Sequence, residues 1–389
     1  MGQNTSQLEL YKSPQPLYST VPLNYENGDI RIVKLERNTT SAKIKCVLQS
    51  YPIKGPHPGY IALSYAWGRN VRYGDIELNG HSFPVGRSLW HFLNQMRLSE
   101  KFDTYWIDAI CIDQTSVLER NHQVQMMREI YCNAESVYVW LGEEDKAAHS
   151  DAAMVYLEKR DAFEAATIRT KTFWTPQQAK AVLSLCQRPY WTRIWIVQEL
   201  LLSRRVILLC GSRTIPWYHF QRIFDAMATI VQLGWGKEIG VTSVLASAAS
   251  NIVKAKTEWK IQSLSLISLL TLCRNQQSTD IRDKIYALHG LANDSYGLKI
   301  DYRISAKRLL VVVLEHMCRT SRTSMDLRGA KEHLLRAGQL LRDILGVRYS
   351  DRELEAIIIL GRERLGDFQD SEDSVYSWLW ETLPSNERM

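Results

Sequence analysis

Four short apolar runs, separated by stretches with helical character, constrain the fold of this chain more than any other feature. The runs are rich in β-branched and aromatic side chains, and they cover residues 60–66, 104–113, 136–142 and 204–211. Strands that are apolar on both faces are typical of a parallel sheet that helices cover on each side. The pattern therefore predicts an α/β fold with a mainly parallel sheet flanked by helices.

The rest of the chain predicts three regions. Residues 1–28 are largely polar and predict a flexible N-terminal arm, and residues 29–215 hold the α/β core. Residues 216–389 are mainly helical by pattern and predict an extension packed on that core. Within the core, residues 30–36 and 42–51 have the composition of an antiparallel strand pair.

Charge and cysteine usage narrow the class of protein. The net charge is +6, but the basic residues form no run of five or six, so we expect no nucleic-acid partner. None of the seven cysteines forms C-x-x-C, and the sequence has no N-terminal apolar signal region and no apolar stretch of 18 residues. These patterns indicate a cytoplasmic protein with reduced thiols.

The opening MGQNTS fits a myristoylation pattern at Gly2, but chance is the slightly favoured explanation. One acyl chain would in any case give at most weak membrane association.

The signatures of several enzyme classes are missing from the sequence. It contains no G-x-x-x-x-G-K-[ST], H-E-x-x-H, G-x-S-x-G or G-x-G-x-x-G, and its nine histidines form no metal-ligand spacing. This argues against a P-loop NTPase, a zinc hydrolase, an α/β-hydrolase and a Rossmann dehydrogenase. We therefore expect neither a metal ion nor a bound cofactor.

The segment YIALSYAWG places polar and aromatic side chains at the carboxyl end of a predicted strand. These residues are Ser64, Tyr65, Trp67 and Gly68. Ligands of parallel sheets bind at this edge, where the loops converge. A strand end with a tight turn explains the same residues equally well.

The segment TYWIDAICIDQ carries two acidic residues. If it is one strand, Asp108 shares a buried face with Trp106, and a carboxylate there needs a partner or a ligand. An internal ion pair or a backbone hydrogen bond is somewhat favoured for Asp108. Asp113 comes at the end of the strand, next to an S-x-x-E capping box at Ser116, and a loop-shaping turn and a site role are equally favoured.

The segment RPYWTRIWIVQEL places Glu199 among tryptophans, isoleucines and leucines. Trp191, Trp195 and Glu199 have i, i+4, i+8 spacing, which puts them on one face of a helix that is apolar nearly all round. Burial raises the pKa of a carboxyl group, and hydrogen bonds to its ionised form lower it. From the residues alone, Glu199 is equally a site residue and a member of a structural network.

Together these segments resemble the heterokaryon-incompatibility (HET) domain of filamentous fungi. The resemblance rests on ALSYAWG (62–68), on WIDAICIDQ (106–114) with the residues that follow it to 142, and on YWTRIWIVQELLLSRRVILLCG (190–211). DIRDKIYALHGLA (280–292) is also similar, so the resemblance covers about residues 29–300. It implies a role in non-self recognition, in which incompatible cells that fuse are killed.

The HET domain is in turn distantly similar to Toll/interleukin-1 receptor (TIR) domains, which have a flavodoxin-like sheet. Many TIR domains cleave NAD with one glutamate in an S-x-W-C-x-x-E-L pattern, and Trp195 and Glu199 match its W and E. Ile196 replaces the cysteine, and a long insertion, 143–187, separates strand from helix. The resemblance implies that Glu199 is catalytic and that NAD or a related nucleotide is a substrate rather than a cofactor. It also implies a nucleotide-binding set, which consists of Ser64, Tyr65, Trp67, Gly68, Asp108, Asp113 and Trp195.

One carboxylate is enough for this chemistry. Nicotinamide in NAD is already cationic, so it leaves as a neutral ring without an acid, unlike the alkoxide of a sugar substrate. Two alternatives stay open: a non-catalytic signalling module that acts by self-association, and a nucleotide transferase that uses the same glutamate. For its partners we expect a nucleotide substrate, other copies of the chain on activation, and an activator that is a separate protein or the helical extension.

Overall fold

The structure is a computed structural model. It describes residues 16–37, 43–68, 71–98, 104–159, 174–232, 234, 240–261, 263–320 and 327–367. The Gly2 pattern and the first part of the predicted arm lie outside these residues. The chain divides into two compact units, Met1–Arg303 and Ile304–Met389. The domain boundaries expected after residues 28 and 215 stay predictions.

Nine strands form one sheet within the described residues. Their spatial order is β5-β4-β2-β1-β6-β3-β7-β8-β9. In chain order they are Asp29–Leu35 (β1), Lys45–Pro52 (β2), Ile61–Tyr65 (β3), Arg72–Leu78 (β4), His81–Gly86 (β5), Thr104–Trp106 (β6), Ser136–Trp140 (β7), Val206–Cys210 (β8) and Arg213–Pro216 (β9).

The four strands predicted from the apolar runs lie side by side in the sheet. β6, β3, β7 and β8 are adjacent, and every pairing among them is parallel. Numbered by their order in the chain, these four strands follow the spatial order 2-1-3-4 that begins a flavodoxin-like sheet. The predicted α/β fold is therefore confirmed.

The sheet as a whole is mixed, which corrects the prediction of a mainly parallel sheet. β1 runs antiparallel to β2, as predicted, and also antiparallel to β6. The hairpins β4–β5 and β8–β9 add antiparallel pairs at both edges. The first hairpin turns at Asn79 and Gly80, whose φ angles of 49° and 80° are those of a type I′ turn. Such a short turn can only join antiparallel strands.

The described residues contain sixteen α-helices, three of them in the second unit. In chain order they are Pro16–Thr20 (α1), Arg87–Arg97 (α2), Asp108–Cys111 (α3), Val117–Gln125 (α4), Met127–Asn133 (α5), Ser150–Glu158 (α6), Pro176–Cys186 (α7), Trp195–Leu201 (α8), Trp217–Gln232 (α9), Val241–Leu245 (α10), Ala248–Ile261 (α11), Leu266–Leu272 (α12), Asp283–His289 (α13), Ala306–Thr320 (α14), Leu327–Leu345 (α15) and Asp351–Asp367 (α16).

Residues 104–113 do not form the single strand that their apolar pattern predicts. β6 ends at Trp106, and the four-residue helix α3 begins at Asp108. The Asp108 carboxylate accepts a hydrogen bond from the Ala109 N–H at 2.8 Å, and the Gln114 side chain donates to the Asp108 carbonyl at 3.0 Å. Such local bonds compete with strand pairing, so the predicted common strand face of Trp106 and Asp108 is wrong.

The stretch RPYWTRIWIVQEL does not form one helix either. A 3-10 turn covers Pro189–Thr192, Arg193 is extended with φ −74° and ψ 138°, and α8 begins at Trp195. The backbone of Gln277 pairs with Arg193 and stabilises this break in the helix. Trp191 therefore lies outside α8, which corrects the helix face predicted to hold Trp191 together with Trp195 and Glu199.

Helix α4 begins where the S-x-x-E pattern predicts, but only half of the capping box forms. Ser116 Oγ accepts a hydrogen bond from the Glu119 N–H at 3.2 Å. The Glu119 carboxylate instead accepts two bonds from the buried Arg31 guanidinium, at 2.5 and 3.1 Å, and one from the Asp113 N–H at 2.6 Å. A bidentate, charge-assisted pair in the core is stronger than a bond to a neutral amide, so Glu119 turns towards Arg31.

The second unit is described over its three helices. α14, α15 and α16 pack on one another and bury leucines and isoleucines, among them Leu310, Leu341 and Ile358. Across the described part of the chain, no helix is both long enough and apolar enough to cross a membrane.

A buried carboxylate cluster at the end of the central strands

The candidate site lies at the carboxyl end of β3, which is paired on both sides by parallel strands. Ser64, the penultimate residue of β3, is 0% exposed, and Glu199, in the middle of α8, is 2% exposed. In the 2-1-3-4 order, β3 and β7 flank the point at which the chain reverses its direction across the sheet. Doubly wound sheets bind ligands at this point.

A chain of hydrogen bonds leads to the Glu199 carboxylate. Ser64 Oγ donates to Glu199 Oε2 and lies 2.7 Å from the Tyr190 hydroxyl. Burial, together with Glu199, raises the pKa of Tyr190 well above its usual value, so this phenol keeps its proton. Because the Ser64 proton is engaged by Glu199, Tyr190 is the donor to Ser64. Ser64, which is itself held by Tyr190, thus fixes the orientation of the Glu199 carboxylate.

Arg193 supplies the positive charge of the cluster. Its guanidinium donates to the carbonyl of Tyr65, the last residue of β3. Burial lowers the pKa of Arg193, but the charges of Glu199 and Asp108 raise it further, so the guanidinium stays ionised. The extended conformation of Arg193 between the 3-10 turn and α8 directs it to the end of β3.

Asp108 and Trp67 form the outer part of the cluster. The Trp67 indole N–H donates to Asp108 Oδ2 at 2.9 Å, and both residues are half-buried. Burial raises the pKa of Asp108, whereas Arg193 and the hydrogen bonds from Ala109 and Trp67 lower it. The cluster therefore has an enclosed part at Ser64 and Glu199 and a partly exposed rim at Trp67, Asp108 and Arg193.

The protonation of Glu199 is set by opposing effects. Burial raises its pKa most strongly, the Arg193 charge and the Ser64 hydrogen bond lower it, and the Asp108 charge raises it again. The result is a pKa raised to about 7. Glu199 therefore keeps its proton to a higher pH than an ordinary glutamate. Such a group can stabilise positive charge or exchange a proton with a ligand.

Other residues predicted for the site lie at its edge or make contacts elsewhere. Gly68 is exposed with φ +74°, a value at which glycine is favoured. Asp113 accepts hydrogen bonds from the Thr115 backbone and side chain, at 3.0 and 2.7 Å. The Trp195 indole bonds to Asp283. Whether any of the predicted residues binds a ligand stays a prediction.

Sequence reasoning overlooked Tyr190 and Arg193. Both lie in the segment that drew attention to Glu199, and Arg193 is a cation six residues before that glutamate. An unpaired carboxylate in an apolar segment needs a nearby positive charge, so the sequence could have predicted that Arg193 lies near Glu199.

A groove of about 660 Å³ lies in another part of the first unit. Its lining includes Arg128, Trp259, His289 and Tyr296, and none of the residues predicted for the site. Across the described residues, no group of histidine, cysteine and acidic side chains is arranged to hold a metal ion.

Comparison with known proteins identifies the domain that holds the cluster. Residues 60–199 match the family of heterokaryon incompatibility proteins (HET), so this part of the chain is a HET domain. The chain is also similar to heterokaryon incompatibility protein 6, OR allele, of Neurospora crassa, with 25% identity over 353 residues. The match covers 74% of this chain and 51% of the relative, so the chain spans about half the length of that protein. No solved structure matches significantly.

Proposed function

We propose that this chain, which carries a HET domain, acts in fungal heterokaryon incompatibility as an effector of cell death. The matched region begins at Tyr60, just before β3, and ends at Glu199. It therefore contains Ser64, Asp108, Arg193 and the other members of the carboxylate cluster. The name of the Neurospora crassa relative supports the biological role.

For the chemical step we propose hydrolysis of the bond between nicotinamide and ribose in NAD or a related nucleotide. The observation that carries this proposal is the position of Glu199, which bonds to Ser64 at the carboxyl end of β3. This is the edge and the switch point at which doubly wound sheets bind nucleotides. The resemblance of Trp195 and Glu199 to the W and E of the TIR pattern is the second ground for this proposal.

In the proposed reaction, the bond between C1′ and the nicotinamide nitrogen breaks, and its electron pair leaves with the ring. The ring becomes neutral, and the ribose becomes an oxocarbenium-like cation that the ionised Glu199 stabilises. Water then adds to C1′ and releases one proton, which Glu199 accepts and passes to solvent. One nucleotide and one water thus yield the ribosyl product, nicotinamide and one proton.

The partly exposed rim suits the rest of a nucleotide. The Trp67 indole offers an aromatic face for the base, and Arg193 offers a guanidinium for phosphate oxygens. Because Glu199 is 2% exposed, the reaction requires the rim at Trp67 and Asp108 to open when the substrate binds. Self-association on activation, or a separate activator protein, would supply the energy for that opening.

The enclosure of Glu199 also favours a second candidate, a non-catalytic module. A carboxylate held by Ser64, with Arg193 beside it, can be a purely structural network. In that case the HET domain acts by self-association alone.

Incubation of the purified protein with NAD distinguishes the candidates. We expect free nicotinamide from the wild type and none from Glu199→Gln, while the exposed Glu258→Gln serves as the matched control. The reaction is run over a range of protein concentrations, because an oligomeric effector becomes active only when concentrated. Absence of nicotinamide at every concentration would favour the non-catalytic module. Exchange of a pyridine base without net hydrolysis would indicate the transferase.

A further inference from the structure

Gln276 and Gln277 bind residues 191–194, which form the turn that leads through Arg193 into α8. The Gln276 side chain is buried, at 3% exposure, and its amide donates to the carbonyls of Trp191 at 2.8 Å and of Arg193 at 3.1 Å. One amide group thus bridges two carbonyls of a turn that lies more than 80 residues away in sequence.

The backbone of the next residue continues this contact. The Gln277 N–H donates to the Thr192 carbonyl at 2.5 Å, and the Ile194 N–H donates to the Gln277 carbonyl at 2.8 Å. Gln276 and Gln277 together therefore bond to four consecutive residues, 191–194. The Lys284 ammonium in turn donates to the Gln276 carbonyl and holds the segment itself.

A half-buried acid, Asp283, fixes Trp195, the first residue of α8. Asp283 accepts a hydrogen bond from the Tyr302 hydroxyl at 2.6 Å and another from the Trp195 indole. The Tyr302 ring lies under the guanidinium groups of Arg120 and Arg282, at 4.2 and 5.3 Å from its centroid. The first residue of α8 is thereby anchored to the same part of the chain as the turn.

These contacts matter because the turn has little helical support of its own. Arg193 is extended, so its backbone carbonyl lies outside the hydrogen-bond pattern of α8 and is satisfied by Gln276. Loss of that bond would let the Arg193 backbone move, and it is from this backbone that the Arg193 side chain bonds to the Tyr65 carbonyl.

We propose that Gln276 is a positioning residue for the Glu199 site. Its side chain holds the 191–194 turn so that the Arg193 guanidinium stays near Glu199 and Asp108. In this role Gln276 touches neither the carboxylates nor a substrate. It acts through Arg193, whose distance from Glu199 determines how readily Glu199 ionises. Only the catalytic consequence rests on the proposed function; the positioning itself does not.

The groups that face Glu199 come from four surrounding elements. Ser64 lies on β3, Asp108 on α3 and Tyr131 on α5, while Tyr190 and Arg193 lie on the turn. Among them, Arg193 is the cation and Asp108 the second acid. Displacement of Arg193 therefore leaves Glu199 with a like charge and with neutral hydroxyl groups, which raises its pKa.

Gln276→Met tests the proposal, with Gln277→Met as a matched control. The first substitution removes the bridging amide at nearly constant volume. The second makes the same chemical change at an exposed residue whose bonds to the turn are all from its backbone. The pKa of Glu199 is measured by carbon-13 NMR on protein labelled at the glutamate carboxyl, with the signal assigned by its loss in Glu199→Gln.

We expect Gln276→Met to raise the pKa of Glu199 by about 0.5 to 1 unit, a part of the 1 to 3 units that a nearby opposite charge supplies. Gln277→Met should leave it unchanged. An unchanged pKa in folded Gln276→Met, or an equal shift in both variants, would overturn the proposal. If Gln276→Met does not fold, the pKa of Glu199 is measured in Gln276→Asn instead, because the shorter side chain stays polar but cannot bond to both carbonyls.

A catalytic readout is taken in parallel. In protein that cleaves NAD, Gln276→Met should shift the pH profile of kcat upward by the same amount as the NMR titration. If the wild type cleaves no nucleotide, the proposed function fails, yet the NMR titration still decides whether Gln276 positions Arg193.

Discussion

Replacement of Glu199 by glutamine should make the stability of this protein less dependent on pH. In the unfolded chain Glu199 ionises near its ordinary pKa of 4.5, whereas in the folded protein burial raises the pKa to about 7. Between these values the folded state binds a proton that the unfolded state has released. The contribution of Glu199 to stability is therefore full below about pH 4.5 and is lost as the pH rises through 7.

The size of the effect follows from the difference between the two pKa values. About 2.5 units correspond to about 3 kcal/mol, and most of this loss, about 2 to 3 kcal/mol, falls between pH 5 and pH 8. Glutamine has nearly the same shape and accepts the Ser64 hydrogen bond, but it does not titrate. As the pH rises from 5 to 8, the free energy of unfolding of Glu199→Gln should therefore increase by about 2 to 3 kcal/mol relative to that of the wild type.

Unfolding in urea at pH 5, 6, 7 and 8, followed by tryptophan fluorescence, measures the difference in the free energy of unfolding. The exposed Glu258→Gln is the control and should show no such trend. A constant difference between the wild type and Glu199→Gln at all pH values would refute the raised pKa. A loss of about 3 to 5 kcal/mol at every pH would instead identify Glu199 as the permanently ionised partner of Arg193.

Three further substitutions test other parts of the structure. Glu119→Gln leaves the Arg31 guanidinium buried without its counter-ion and should cost about 3 to 5 kcal/mol in urea unfolding, whereas a cost below about 1 kcal/mol would contradict the bidentate pair. Ser64→Ala removes a hydrogen bond that lowers the pKa of Glu199, so that pKa should rise in an NMR titration, and a fall would argue against the bond. Asn79→Ala loses the side-chain bonds at a residue with positive φ and should cost about 1 to 3 kcal/mol in thermal unfolding, with wild-type stability as the opposing result.

The sequence predicted the centre of the fold because short-range pattern determines it. β3, β7 and β8 are apolar on both faces, and such strands can lie only inside a covered sheet. The hairpin β4–β5 was missed although the Asn79–Gly80 pair is a strong turn signal, because its strands are partly exposed and lack an apolar run.

The failures at Asp108 and Trp191 have a different cause. In each case the periodic pattern continued beyond the point at which a specific hydrogen bond ended the element. The Asp108 carboxylate bonds to the next N–H, and the Gln277 backbone pairs with Arg193 from a distant part of the chain. A pattern of apolar residues carries no information on such bonds, so it overestimates the length of the element.

Two ionic clusters in the described residues differ in a way that bears on function. Arg31 and Glu119 form a one-to-one, bidentate pair in the core, which is the arrangement expected of a structural ion pair. The Glu199 cluster is unbalanced, because Arg193 alone faces both Glu199 and Asp108. The excess carboxylate is unfavourable for stability, since burial raises the pKa of both acids. An excess negative charge behind a partly exposed rim suits a cationic ligand, and NAD carries its positive charge on the ring that the proposed reaction releases. We therefore propose a binding role for this cluster rather than a purely structural one, and a nicotinamide nucleotide that fails to bind the folded wild-type protein would argue against that role.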